Sequence, residues 1–325
     1  MTTLDRTAGI TWADLLEQLV AEHGTLAQVA WKLVEHADKS KTELDVASVE
    51  RALRRLRTRG QRDGGAWGQR LTRVFGMPKS VEDRVRWLGL YHSPFNDLPV
   101  ELCLDHLRLW DRPPMSGSRA RLWVHLGFTT CALRTRQQAD AKRHADRARE
   151  ALAGLPALYD LARVELALVD AFIASHPPSD AEAVDPLLAR ATELLASEAI
   201  GELDRVCLVA RIVDQRAYQL NRRGEHDAAL ALYESLSPVD LHPFASYRRD
   251  AGLAYGYFKT GRADARTLAL RAIEHAGDGG YTRLRAMGLL MLARITGDAG
   301  AIVRARAIAT RLGDHELLER AAKLD

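Results

Sequence analysis

Apolar residues recur every three or four positions along almost all of the chain, the spacing of one helix face. From Trp12 to Glu22 they fall at 12, 15, 16, 19 and 20, ahead of a His23-Gly24 stop. Thr25 is placed to cap a second helix over Leu26 to His36. The polar stretch ADKSKTELD, 37–45, predicts a loop. A third helix is expected from Asp45 to Arg59, ended by Gly60, and a fourth from Trp67 to Phe75, ended by Gly76. Further along, Ala-, Leu-, Arg- and Glu-rich segments alternate with breaks such as Pro113-Pro114, Pro177-Pro178, Pro238 and Gly277 to Gly280. Strand signals are almost absent. The pattern predicts an all-α protein of roughly fifteen helices.

The third helix is sharply two-sided. At about 100° per residue, Val49, Ala52, Leu53 and Leu56 form one apolar stripe. Arg51, Arg54 and Thr58 lie opposite, Ser48 and Arg55 lie on one shoulder, and Arg57 and Arg59 flank the stripe. Charge sharpens the picture. The net charge of +3 resides in residues 1–80, which hold 13 Lys/Arg against 10 Asp/Glu. From Arg51 to Lys79 there are nine basic residues and one acid, Asp63. Such a patch attracts polyanions.

The pair TLAQVAWKL and DVASVERALRRLRTRG resembles a helix-turn-helix. That resemblance implies base contacts from Ser48, Arg51 and Arg55, and backbone contacts from Arg54, Arg57, Arg59 and Arg62. It departs from the family pattern in its connection, about eight residues where three or four are usual.

Residues 86–114, RWLGLYHSPFNDLPVELCLDHLRLWDRPP, combine aromatics with prolines and suggest a packing wedge between two parts of the chain. Beyond it the chain repeats. ARIVDQRAYQLNRRGEHDAALALYESLSP, 210–238, resembles a tetratricopeptide repeat, with Ala217 and Ala229 at the small positions, Gly224 at the turn, Tyr233 at the aromatic position and Pro238 at the end. A second copy places Ala254 and Gly261 in the same slots but has Arg266 where a small residue belongs, and a third turns at Gly297. Hairpins over 118–154 and 156–197 share the length and periodicity. The expected architecture is a helix-turn-helix-like head (1–76), connecting helices (77–115) and a right-handed α-solenoid of about five hairpins (116–325). The resemblance implies a concave groove lined by Arg211, Asp214, Tyr218, Asn221 and Arg222, then Arg248, Tyr255, Phe258 and Lys259, with basic ends and aromatic walls suited to an acidic peptide or protein segment. The groove has two other outcomes: these residues pack between helices, or the chain's own last helix fills it.

Catalytic chemistry finds little support. There is no phosphate loop and no H-E-x-x-H pair; HELLE, 315–319, lacks the second histidine. MSGSR, 115–119, lacks the glycines of a nucleophile elbow. YHSPFND brings His92, Ser93 and Asp97 together only in sequence and reads as a turn. DGGAWG, 63–68, reads as a turn that sets Trp67 into the core rather than as an anion nest. No metal ligand set, cofactor or catalytic residue is expected. Cys103, Cys131 and Cys207 are widely separated, which suits reduced thiols in a cytoplasm. No apolar run reaches the ~20 residues of a membrane helix. Head-plus-repeat architecture is similar to that of peptide-sensing bacterial transcription regulators, which implies DNA and a peptide or protein as partners, with a homodimer allowed. The alternative is an adaptor or scaffold whose basic head docks an acidic protein or mediates dimerisation.

Overall fold

The computed structural model describes residues 9–36, 45–60, 64–176, 181–237 and 242–324. Among these, seventeen α-helices and three short 3-10 turns occur and no strand. Neighbouring helices pack in pairs along the chain. No described helix is long and apolar enough to cross a membrane.

The head comprises α1 (Trp12–His23), α2 (Leu26–Glu35), α3 (Val46–Arg59) and α4 (Gly65–Val74). Its starts follow from capping chemistry. Thr11 with Asp14, and Thr25 with Gln28, each form a reciprocal capping box, and Asp45 accepts from the amides of Ala47 and Ser48. The predicted apolar stripe of α3 faces inward: Val49, Leu53 and Leu56 are buried beside Leu15, Leu16, Leu19, Val29 and Leu33. One expectation changes. The glycines of GGAWG serve Trp12 rather than Trp67: a Cβ at Gly64 or Gly68 would run into the Trp12 indole, whereas Trp67 is half-buried with the Arg70 guanidinium over its ring. The predicted 37–45 loop falls almost wholly outside the described residues.

The connector holds α5 (Lys79–Gly89), a 3-10 turn (Pro94–Asp97) and α6 (Val100–Trp110). Close approach fixes it to α7 (Arg121–Arg134): a Cβ at Gly89 would stand 2.6 Å from the Trp123 carbonyl, and one at Gly127 2.7 Å from the Leu88 carbonyl. Helices α5 and α6 both lie on α7. Within this stretch Phe95 is fully buried.

Five pairs follow: α7 with α8 (Gln138–Leu152), α9 (Asp160–Ala174) with α10 (Ala181–Leu194), α11 (Glu202–Arg222) with α12 (His226–Glu234), α13 (Pro243–Thr260) with α14 (Ala265–Asp278), and α15 (Thr282–Thr296) with α16 (Ala299–Leu312). A final α17 (His315–Ala322) packs on α16 and also on α7. Gly224, Gly261 and Gly297 all turn with positive φ, at 82°, 68° and 73°. Ala217, Ala229 and Ala254 are buried, and Tyr233 lies against Gly252. At the supposed departure, Arg266 is exposed and Ala265 and Ala269 provide the small contacts. Asp264 takes the left-handed conformation, φ 71°, ahead of α14.

Candidate functional site

Two features of the fold carry chemistry. The first is the outward face of α3. Arg51, Arg54, Arg55, Arg57 and Arg59 are all exposed, as is Ser48, while the opposite stripe is locked into the head. Part of the charge is offset locally: Arg54 donates to Glu50 at 2.6 Å and Arg57 to Glu17 at 3.1 Å. Arg51 donates to the Ser48 hydroxyl at 3.0 Å, and Arg55 to the Arg51 carbonyl at 3.4 Å. Among the described residues no carboxylate pairs with Arg51, Arg55 or Arg59. Arg62 lies outside the described residues. Exposed ion pairs of this kind contribute little and exchange readily for a phosphate.

The second feature is the side of the paired helices where α7, α9, α11, α13 and α15 meet the connector. The segment Leu90 to Leu98 occupies part of this side, with Tyr91 at its centre. The Arg211 guanidinium lies 4.5 Å from the centre of the Tyr91 ring and the Arg248 guanidinium 5.6 Å away. The Tyr91 hydroxyl accepts from Arg283 at 2.9 Å and from Arg248 at 3.3 Å. Each cation also has a carboxylate. Arg211 donates to Glu165 at 2.5 Å, Arg248 to Asp214 at 2.5 Å, and Arg283 to Asp314 and Glu316 at 2.7 Å each. Burial opposes ionisation of Tyr91, yet Arg283, Arg248 and Arg211 outweigh it and lower the phenol's pKa. Asp314 is likewise held low: Arg283 and Arg134 overcome its burial. Asp97 goes the other way. Burial lifts it to about 6 even though it accepts the Arg283 amide at 2.7 Å.

The residues expected to line the groove therefore divide. Arg211 and Arg248 are buried and engaged with the connector, and Asp214 is taken up by Arg248 and by the Tyr233 hydroxyl at 2.8 Å. The connector around Tyr91 occupies this half, and Glu316 of the last helix, α17, reaches the same network through Arg283. Farther along the same helices the wall is open. Tyr218 and Phe258 are exposed, Tyr255 is half-buried, and Arg222 and Lys259 are exposed. The Arg222 guanidinium stands 5.9 Å from the Tyr218 ring centre and also donates to the Ser175 carbonyl at 2.8 Å. Asn221 lies beside His226, Oδ1 to Nδ1 2.8 Å.

Tyr91, Glu165, Arg283 and Asp314 were not singled out from sequence. A signal existed for Arg283: it follows Arg248 by 35 residues, as Arg248 follows Arg211 by 37. The same interval carried past Arg222 and Lys259 reaches Arg294, also exposed. His92, Ser93 and Asp97 do not assemble. His92 Nε2 meets Asp204 at 2.8 Å, Ser93 donates to the Trp87 carbonyl at 2.6 Å, and Asp97 turns to Arg283. No group of three or more potential metal ligands occurs among the described residues. No protein-family model, curated protein or solved structure matches the chain.

Proposed function

We propose that the protein is a non-enzymatic regulator that binds DNA through α3 and takes up an acidic peptide or protein segment on the open part of its repeat groove. In this account α2 and α3 act as a helix-turn-helix, and α7 to α16 as five tetratricopeptide-like hairpins capped by α17. The observation that carries the proposal is the joint exposure of five arginines around α3, on all sides but the apolar stripe anchored by Val49, Leu53 and Leu56. An anchored amphipathic helix of this kind presents cations to a phosphate backbone without loosening its domain. The open wall supports the second half: an aromatic row, Tyr218 and Tyr255, is followed one turn later by the basic row Arg222, Lys259 and Arg294. Aromatic faces would hold apolar side chains, and the basic row would meet carboxylates.

Fluorescence anisotropy on mixed-sequence duplexes at low salt tests the DNA half. Binding should weaken linearly in log–log salt, and R51A/R54A/R55A should lower the slope by about two to three. A triple variant that binds as well as the parent removes α3 from the interface. Absence of duplex binding at low salt overturns the DNA assignment and favours the adaptor, in which α3 docks an acidic protein.

A further inference from the structure

A cavity of about 400 Å³ opens where the connector meets the starts of α11, α13 and α15. It lies apart from the α3 face, and none of the groove residues named above lines it. Trp87, Leu203 and Tyr281 supply apolar wall, and His92, Asp204 and His242 supply polar atoms. The size falls within the roughly 300–1,000 Å³ of small-molecule sites. Two of the apolar walls are open to solvent, since Trp87 is 41% exposed and Leu203 70%. A large apolar surface left uncovered beside converging polar groups is the ordinary composition of a binding pocket.

The polar groups define what such a pocket accepts. Asp204 receives His92 Nε2–H on Oδ1 at 2.8 Å, and no bond to its Oδ2 is made among the described residues. Although burial raises the Asp204 pKa, the hydrogen bond and charge of His92 lower it further, helped by Arg86 and His242, so the carboxylate is ionised at neutral pH. The His92 ring is buried, with Nδ1 3.7 Å from Glu165 and without a hydrogen-bond partner. His242 Nδ1 accepts the Phe244 amide at 3.2 Å as the start of α13, which places the ring proton on Nε2. Burial, then the nearby His92, lowers the His242 pKa. Cys207 stands in the wall as an inert thiol, pushed up to about 12 by burial. No lysine or arginine lines the cavity.

From these groups we infer that the cavity is a binding site for a small organic amine with an aromatic or branched apolar body. The ammonium hydrogen-bonds to Asp204 Oδ2, and the body lies between Trp87, Leu203 and Tyr281. Aromatic walls reinforce the choice, because the face of Trp87 or Tyr281 attracts a cation and does not attract an anion. A carboxylate ligand would meet the Asp204 carboxylate with no lysine or arginine in the lining to balance it. The site does not rest on the DNA assignment.

Isothermal titration calorimetry of the full chain with phenethylamine, phenethyl alcohol and phenylacetate tests the inference. The amine should bind saturably and about tenfold or more tighter than the alcohol, with phenylacetate weakest. Asp204→Asn should bring the amine down to the level of the alcohol. Because that change also removes the negative charge beside His92, Leu203→Arg is the second variant: its position is open, so the chain stays folded by circular dichroism while the arginine fills the cavity and abolishes binding. Equal affinity for amine and alcohol, an unaffected L203R, or no amine binding at millimolar concentration overturns the inference.

Discussion

The hydroxyl of Tyr91 lies 2.9 Å from Arg283 Nη1, a hydrogen bond that spans 192 residues of sequence. Through it the connector is tied to the fifth helix pair, and through Arg211 and Arg248 to the third and fourth. Tyr91→Phe keeps the ring beneath Arg211 but removes the acceptor for Arg248 and Arg283. It should cost about 1–3 kcal/mol, read as a lower urea midpoint with unchanged m.

Asp314 accepts from Arg134 at 3.1 Å and from Arg283 at 2.7 Å through one oxygen, while the other caps α17 at the Leu317 amide, 3.0 Å away. Asp314→Asn retains the cap but strips the charge from between two buried guanidinium groups. A loss of about 3–5 kcal/mol is expected. The folded-state pKa is depressed, so this stabilisation is complete above the unfolded value near 4 and fades as pH falls through the folded one. The variant and parent should therefore converge in acid, which urea titrations at pH 7 and pH 3 would reveal.

Asp97 has the opposite sign. Its folded pKa is raised from 3.8 to about 6, so ionising it in the native state is unfavourable and the cost is present at neutral pH. Asp97→Asn keeps an acceptor for the Arg283 amide and removes the buried charge. Stability should rise by about 1–3 kcal/mol at pH 7 and show little change below pH 4, by the same titrations.

Gly252 faces the ring of Tyr233, and a Cβ there would overlap it. Tyr233 is pinned by its hydrogen bond to Asp214 and cannot swing aside without breaking the Arg248 network. Gly252→Ala should destabilise by about 1–3 kcal/mol, measured as a drop in the thermal midpoint. Gly277→Ala, which meets no neighbour within 4 Å, is the matched control.

The helical elements were legible because each is announced locally. Thr11, Thr25 and Asp45 cap, Gly60, Gly261 and Gly297 terminate, and the apolar stripe of α3 points where its period requires. The arginine face was legible for the same reason, since the side opposite a buried stripe must face out. The inner network was not. Tyr91 reads as one aromatic among several in a proline-rich stretch, and nothing local says that three arginines 120 or more residues away will converge on it. Trp12 against Gly64 and Gly68 shows the same limit: the glycines are visible, but the ring that needs them lies about fifty residues earlier.

Stacked helical hairpins joined only to their neighbours can peel away from either free end, each unit melting on its own terms. Here α17 returns to α7, where Arg134 reaches both Asp314 and the Leu312 carbonyl, and Arg136 pairs with Glu319. Neither end is free. Fraying at one terminus must first unclasp the other, so amide exchange across the ten paired helices should proceed as one concerted opening rather than as a gradient running inward from the tips.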